Sequence, residues 1–319
     1  MRSIRTCAFA AVMLAAGWSH AQALPDEIRI IVPVTAGSTL DSRARVLADA
    51  LGKQLRRTVI VENRVGAGGT IGALAVSKSR PDGSMLLFTN NSQVISPHIY
   101  PNAGYDPIRD FAPVAQAYFT GMVLVAHPDL RVGTVKELAT LARSQAQPIS
   151  YASSGTGGLP HLGMEVLKQV AGMDLLHIPY RGDGQALADV LTGRVQVMMS
   201  GYIVAQPHIK AGKLRALAVT SKQRTAIFPD VPTIFESGYP AFAVDTWAGF
   251  FAPGGTPPDV VEKLNRAIAA AINTPAVQAQ YAATGADPIY TTPAAFAEYV
   301  RREWESYGRL IPGLHLTPE

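Results

Sequence analysis

Cysteine is nearly missing from this chain: of 319 residues only Cys7 carries a thiol, and it lies close to the N-terminus. Without further thiols there is no disulfide framework and no thiolate metal site, so stability has to come from a core. Roughly 300 residues can bury one amply, commonly as two domains. A large excess of one charge is missing too. Lys and Arg number 28 against 24 Asp and Glu, a net charge of +4, too even and too scattered to mark a nucleic-acid surface. Beyond the first residues no stretch approaches the roughly 18 apolar residues of a membrane span. No segment repeats with a period of about 20–50 residues. His98, His127, His161, His177, His208 and His315 show no H-E-x-x-H spacing, and no metal is expected. There is no G-x-S-x-G elbow, and no obvious base pairs with Ser153 or Ser154.

What is there begins with an export signal. Arg2 and Arg5 stand without an acid before the apolar run Cys7–Gly17, which is too short to span a bilayer, and Ala21-Gln22-Ala23 gives an A-x-A cleavage pattern. Residues 1–23 are therefore expected to be a signal peptide, cleaved after Ala23 or Ala21. Cys7 lies far upstream of the cleavage residues and lacks the small-residue context of a lipoprotein cysteine, so a free exported protein is expected, not a lipid-anchored one.

The rest alternates short apolar runs with helical stripes, the pattern of an α/β fold. "IRIIVPV" reads as a buried strand, and Leu40, Ala44, Leu47, Leu51 and Leu55 then step at helical spacing. A second series begins near Pro128: helix "VKELATLARSQ", strand "ISYA", helix "LPHLGMEVLKQVAG", strand "DLLHIPY", helix "GQALADVLTG" and strands "VQVMMSG" and "LRALAVTS". Thr256 with Pro257 and Thr292 with Pro293 open two more helices, the latter with a buried stripe of Phe296, Val300, Trp304 and Tyr307. Two extended apolar segments, near 118–126 and 242–252, bracket one series inside the other. They read as the two crossings of a two-lobed protein, a hinge beside a ligand cleft. Lobe 1 is expected to hold residues 24–125 and 247–319, and lobe 2 residues 126–246.

Two loops match in kind. "TAGST" after the first strand and "SSGTGG" after "ISYA" each place small and hydroxylic residues just before a helix. Helix N-termini present unpaired N–H groups and a partial positive charge, and small residues let an anion approach. Two such loops across a cleft can hold a carboxylate without an arginine. Taken singly, Thr39 and Ser153 or Ser154 read equally as helix caps. Asp41 suits its helix N-terminus or a ligand ammonium, His161 a capping or packing role, and Arg181 a solvated loop or a second carboxylate. Met198 and Met199 read as core. Gly66, Gly68 and Gly72 in "VENRVGAGGTIGA" resemble a dinucleotide loop, but they follow the second strand, and about 20 residues on there is only the Asp82-Gly83 turn. They are expected to shape a turn that packs a helix on the sheet, and no cofactor is expected.

In order along the chain stand "IRIIVP", "VIVENRVGAGGTIGA", "PDGSMLLF", "YDPIRDFAPV", "YASSGTGGLPHL", "HIPYRGDGQALADVLTGRVQVM", "PHIKAGKLRALAVTS", "PDVPTIFESGYP" and "WAGFFAPGGTP". With these motifs the chain resembles, over nearly all of its length after the signal, the substrate-binding receptors of the tripartite tricarboxylate transporters (the TctC or Bug type). The resemblance implies a type II-like, Venus-flytrap periplasmic binding protein with two crossing strands as hinge. Such a receptor is no enzyme: it closes around an organic carboxylate, a di- or tricarboxylate, aliphatic or aromatic, and delivers it to membrane permease subunits. It implies a ligand held by Val34, Thr35, Ala36, Gly37, Ser38, Thr39 and Leu40, and by Ser153, Ser154, Gly155, Thr156, Gly157 and Gly158. Asp41, Ser92, His161, Tyr180, Arg181 and Ser200 are expected at or near the cleft. A monomer without nucleic-acid partners is expected. The first loop departs from the family's P-F-x-x-G-G, reading Pro33 to Ser38 as P-V-T-A-G-S, and Gln196 and Ser200 stand where acids are usual. An exported hydrolase or nucleotide-cofactor enzyme built on the Ser/Gly loops is the competing reading from another class, and a ligand-loaded sensor for a membrane kinase differs from the receptor only in its partner.

Overall fold

A computed structural model describes residues 23–100, 102–242, 244 and 246–314. The expected signal peptide lies outside the described residues except for Ala23, as does His315.

The first series runs β1 (Glu27–Val32), α1 (Thr39–Leu55), β2 (Thr58–Asn63), α2 (Thr70–Ser77), β3 (Met85–Asn90), α3 (Ser92–Ile99) and β4 (Phe111–Thr120). The second runs β5 (Met122–Ala126), α4 (Val135–Ser144), β6 (Ile149–Ser153), α5 (Leu159–Ala171), β7 (Leu175–Pro179), α6 (Asp183–Leu191), β8 (Val197–Gly201), α7 (Tyr202–Lys210) and β9 (Arg215–Val219). The chain then returns through β10 (Thr246–Pro253), α8 (Pro258–Ile272), α9 (Pro275–Thr284), β11 (Ala286–Pro288) and α10 (Pro293–Leu310).

These strands form two sheets, a six-stranded one ordered β11-β4-β10-β3-β1-β2 and a five-stranded one ordered β7-β6-β8-β5-β9. Each sheet has a parallel part: β1 with β2 and β3, and β6 with β7 and β8. The crossings are antiparallel additions. β4 and β5 are separated by Gly121 alone, and β10 pairs with both β3 and β4. At the change of sheet, Thr120 pairs with Thr246, and Met122 N donates to the Thr220 hydroxyl at 2.9 Å.

Period-two alternation decides which side chain enters which core. Ile28, Ile30 and Val32 face a cluster with α1, α8 and α9, while Ile31 faces the opposite way, toward α2, α3 and α10. In the second sheet Val123, Val125 and Met198 pack under α6 and α7, and Leu124, Ala126 and Met199 under α4 and α5. Both methionines are thus core, as expected. The cluster on the Ile31 side is continuous with that on the Met199 side, so one apolar body runs through both sheets. Trp247, Phe251 and Phe296 are fully buried in it; a side chain of that kind contributes about 1.5–3 kcal/mol by burial. Arg43, also buried, donates to the Thr284 carbonyl at 2.7 Å and lies 4.4 Å over the Tyr118 ring. A cation there suits the C-terminal end of α9.

Three helices were not expected from the sequence. Two of them, α3 and α7, contain Pro97 and Pro207, proline being unfavourable in a helix interior. The third, α9, follows α8 after only Asn273 and Thr274. Two expectations need correcting in detail. Pro257, not Thr256, is the capping residue of α8, and the Thr256 hydroxyl turns back to the Pro253 carbonyl at 2.7 Å. Trp304 is only partly buried and stacks on His98 at 3.6 Å between centroids. Among the described residues no helix is long and apolar enough to cross a membrane.

Candidate functional site

In open parallel sheets the room for a ligand lies beyond the C-terminal ends of the strands. Here those ends face one another. A methyl group placed on Gly201, at the end of β8, would stand 3.6 Å from Thr39 Oγ1 on the first helix. One on Gly157, in the loop after β6, would stand 2.9 Å from Ile99 Cδ1 at the end of α3. The Tyr100 hydroxyl donates to the Thr156 carbonyl at 3.0 Å. The loops after β1 and β3 therefore meet those after β6 and β8, and α1, α5 and α7 begin at this junction.

On the first side, Thr35, Ala36 and Gly37 are exposed, Val34, Ser38 and Thr39 are half-buried, and Leu40 is turned into the core. Ser38 caps α1, its hydroxyl accepting from Asp41 N at 3.3 Å. The Asp41 side chain is buried and returns the contact, accepting from Gly37 N at 2.8 Å. Asn63 donates to Asp41 Oδ1 at 2.9 Å and to the Val34 carbonyl at 3.0 Å, and Arg45 Nη2 lies 3.0 Å from Asp41 Oδ1. Burial opposes the charge of Asp41, yet Arg45, Gly37 N–H and Asn63 hold its pKa below the ordinary value. With these partners, Asp41 spends its carboxylate on the shape of the loop.

The glycine stretch supports the same loop from behind. Gly66, Gly68 and Gly69 take φ of 129°, 62° and 95°, conformations that favour glycine. A methyl group on Gly72 would sit 2.9 Å from the Arg64 carbonyl and 3.0 Å from Pro33 Cβ. The Ser96 hydroxyl donates to the Gly68 carbonyl at 2.7 Å. Ser92 is half-buried, 3.4 Å from Thr89 Oγ1 and beside Gly69. These glycines pack α2 against the root of the first loop, as expected of a turn.

On the second side, Ser154, Gly155 and Gly158 are half-buried while Ser153, Thr156 and Gly157 are buried. Gly157 N donates to His161 Nδ1 at 3.0 Å, so His161 holds the loop from beneath, with 4 % of its surface exposed. Ser200, fully buried, lies 3.4 Å from the Gly201 carbonyl. Tyr180 donates its hydroxyl to Asp189 at 2.7 Å and its N–H to the Ser153 carbonyl, and Arg181 is exposed on the loop beyond it.

The sequence reading found no base for Ser153, and this is corrected: His177 Nε2 lies 2.7 Å from Ser153 Oγ. Tyr151 and His177 are register partners on β6 and β7, and strand alternation puts Ser153 on the Tyr151 face. The sequence signal was available in that alternation. The pair is still no nucleophile, because Ser153 has no exposed surface and its hydroxyl also contacts the Gly155 carbonyl at 3.1 Å. His177 instead belongs to a stack, 3.8 Å from the His161 ring and 4.8 Å from Tyr151. Burial, with the Lys168 ammonium, brings the His161 pKa down to about 4; burial, with the neighbouring His161, does the same for His177. Both imidazoles are neutral at pH 7. Sequence reasoning also missed Tyr100 at this junction. Among the described residues no group of three or more His, Asp or Glu could hold a metal ion.

Comparison with known proteins bears on the family and the fold. Residues 43–316 match the family described as the tripartite tricarboxylate transporter family receptor. The structure of the periplasmic binding protein BugD is 34 % identical, with a TM-score of 0.83 over 92 % of this chain and 99 % of that one. A Rhodopseudomonas palustris protein, Rpa4515, solved with adipate, is 29 % identical, with a TM-score of 0.84 over 92 % of this chain and 98 % of its own. MatC from the same organism, solved with bound malate, is 29 % identical, with a TM-score of 0.82 over 89 % and 98 %. The two-sheet α/β fold is thus that of periplasmic binding proteins.

Proposed function

The chain belongs to the tripartite tricarboxylate transporter receptor family, a family of solute-binding receptors and not of enzymes, and from that premise we propose that it captures an organic carboxylate and hands it to the membrane permease subunits of such a transporter. The ligand is a di- or tricarboxylate, aliphatic or aromatic. It is held between a lobe built on the six-stranded sheet and a lobe built on the five-stranded sheet, the first crossing moving from the expected residue 125 to Gly121 because β5 belongs to the five-stranded sheet. The observation that carries the reading is the meeting of the α1, α5 and α7 N-termini at one junction.

The chemistry follows from what those ends offer. N–H groups of the first turn have no partner within the helix and carry partial positive charge. The loops that lead into these helices are Thr35–Thr39 and Ser154–Gly158, where small residues and hydroxyls admit an anion and add donors. Asp41, His161 and Ser153 keep these backbones in place rather than touch the ligand. Gly121, alone between β4 and β5, is where the proposed hinge bends. Export by residues 1–23 belongs to the same proposal: sequencing the periplasmic form should read from Leu24 or Gln22.

The test is calorimetric titration of the purified protein, unfolded and refolded to strip carried ligand, against mono-, di- and tricarboxylates, with NADP as the cofactor control. Binding of one carboxylate class at micromolar Kd or tighter, about −8 kcal/mol, is expected. Silence across the carboxylates with heat from NADP would overturn the reading.

A further inference from the structure

Tyr202, the first residue of α7, packs in the core of the five-stranded sheet. Its ring meets Phe228 edge-on, 5.5 Å between centroids, and only 2 % of its surface is exposed. Yet it also touches both segments by which the lobes are joined. A methyl group on Gly121, the residue between β4 and β5, would overlap the Tyr202 hydroxyl and stand 2.8 Å from Cζ. The hydroxyl lies 3.1 Å from Ser221 Oγ, just past the end of β9, where the chain sets out on its return to β10. Ser221 donates its own proton to the Gln223 carbonyl at 2.6 Å, so between the two hydroxyls Tyr202 donates and Ser221 accepts. At the ring edge, a methyl group on Gly285 would stand 2.6 Å from Cδ2. Gly285 lies between α9 and β11 of the other lobe, and its carbonyl accepts from the Thr120 hydroxyl at 2.9 Å.

The backbone of the same residue stands at the ligand junction. Tyr202 follows Gly201, whose place beside Thr39 Oγ1 puts the first turn of α7 there. A close-packed ring cannot slide without displacing its neighbours. A movement of α7 toward or away from α1 is therefore also a movement of the Tyr202 ring against Gly285 and Gly121. Gly121 takes no positive φ, so its backbone is open to other residues, and the space a side chain would need is filled by Tyr202. Burial pushes the Tyr202 pKa up to about 12, and at neutral pH the hydroxyl keeps its proton for Ser221.

We propose that Tyr202 is a positioning residue for ligand capture, a wedge that couples the α7 N-terminus at the junction to the hinge at Gly121. This rests on the receptor reading above. The ring is seated while the loops after β1 and β3 meet those after β6 and β8. Its contacts with Gly121, Ser221 and Gly285 therefore belong to the arrangement that grips a ligand. Filling the space at Gly121 unseats the ring and holds α7 off α1, and a smaller side chain at position 202 gives that space back. The Tyr202 side chain acts through the placing of α7 and does not itself touch the ligand.

The experiment compares the native protein with Gly121→Ala, Tyr202→Leu, the two combined, and Tyr202→Phe. Each is titrated with the mono-, di- and tricarboxylates of the panel above, benzoate, succinate and citrate among them. Small-angle scattering of each protein, free and loaded, reads closure as a fall in the radius of gyration, and thermal unfolding checks folding. For the carboxylate that the native protein binds, Gly121→Ala should bind about tenfold or more weakly and contract less on loading. In the Tyr202→Leu background the same methyl should cost no more than about threefold, the signature of two residues in contact. Tyr202→Phe keeps the ring and loses the bond to Ser221, and should bind about fivefold more weakly. Native affinity and contraction in Gly121→Ala, whatever its melting temperature, or a cost of the methyl undiminished in the Tyr202→Leu background, overturns the role of Tyr202 and leaves the receptor standing. Where Gly121→Ala does not fold, native affinity and contraction in Tyr202→Phe overturn it. Silence of the native protein toward every carboxylate overturns the receptor reading, and the role of Tyr202 with it.

Discussion

The Tyr100 hydroxyl and the Thr156 carbonyl, 3.0 Å apart, join the end of α3 on the first sheet to the loop that opens α5 on the second. Ile99 lies against Gly157 beside them. The contact ties α3 to the loop before α5 without using a charged group. Tyr100→Phe keeps the ring and removes the bond, whose net worth is about 1 kcal/mol. The ligand-free variant should be more open, with a larger radius of gyration by small-angle scattering, and should bind its carboxylate about fivefold more weakly. An unchanged radius together with unchanged affinity would show that the bond does not govern closure.

Asp41→Asn tests whether the first loop is shaped from within. The substitution keeps the volume and removes the charge that Arg45 and the Gly37 N–H engage. A loss of about 2 kcal/mol is expected, the scale of hydrogen bonds to a charged group. The pH dependence gives the sign. The pKa of Asp41 lies below its ordinary 3.8 in the folded chain, so its stabilisation is present above that value and disappears as pH falls through the folded pKa. Denaturation midpoints of native and variant protein should differ at pH 7 and converge below about pH 3.8. A constant difference would assign the effect to packing.

Much of this arrangement was legible in the sequence, and the reason is local. Strand alternation, the stripe from Leu40 to Leu55, and glycines and hydroxyls before a helix are signals that neighbouring residues carry together. What escaped was set by contacts distant in sequence. Asn63 reaches Val34 and Asp41, Tyr100 reaches Thr156, and Ser153 meets His177 through the register of β6 with β7. No pattern within a window of ten or so residues holds such pairs. α3 and α7 form in spite of Pro97 and Pro207, a local preference that the packing of these helices overrides.

Gly72→Ala separates the scaffold reading of the glycine stretch from the cofactor reading. The added methyl would meet the Arg64 carbonyl at 2.9 Å and Pro33 at 3.0 Å. The Arg64 carbonyl is backbone and cannot swing aside, so overpacking of about 1–3 kcal/mol is expected. Since Pro33 opens the first ligand loop, carboxylate affinity should fall with the melting temperature. Full stability and affinity in the variant would mean that α2 does not support that loop.

The stacked imidazoles set how the second loop responds to acid. His161 faces Lys168 and the His177 ring; His177 faces Tyr151, Ser153, His161 and, at longer range, Glu165 and Lys168. Both pKa values are depressed from 6.5 to about 4. Between these values the unfolded chain binds protons that the folded one does not, so stability rises with pH across that interval. It is complete above 6.5, declines as pH falls toward about 4, and loses nothing further from these groups below that. Binding should follow, because a protonated His161 Nδ1 can no longer accept from Gly157 N–H. Urea unfolding from pH 7 to pH 4 should show the decline in the native protein and a flatter curve in His161→Gln, which cannot titrate. The same slope in both proteins would place the proton uptake elsewhere.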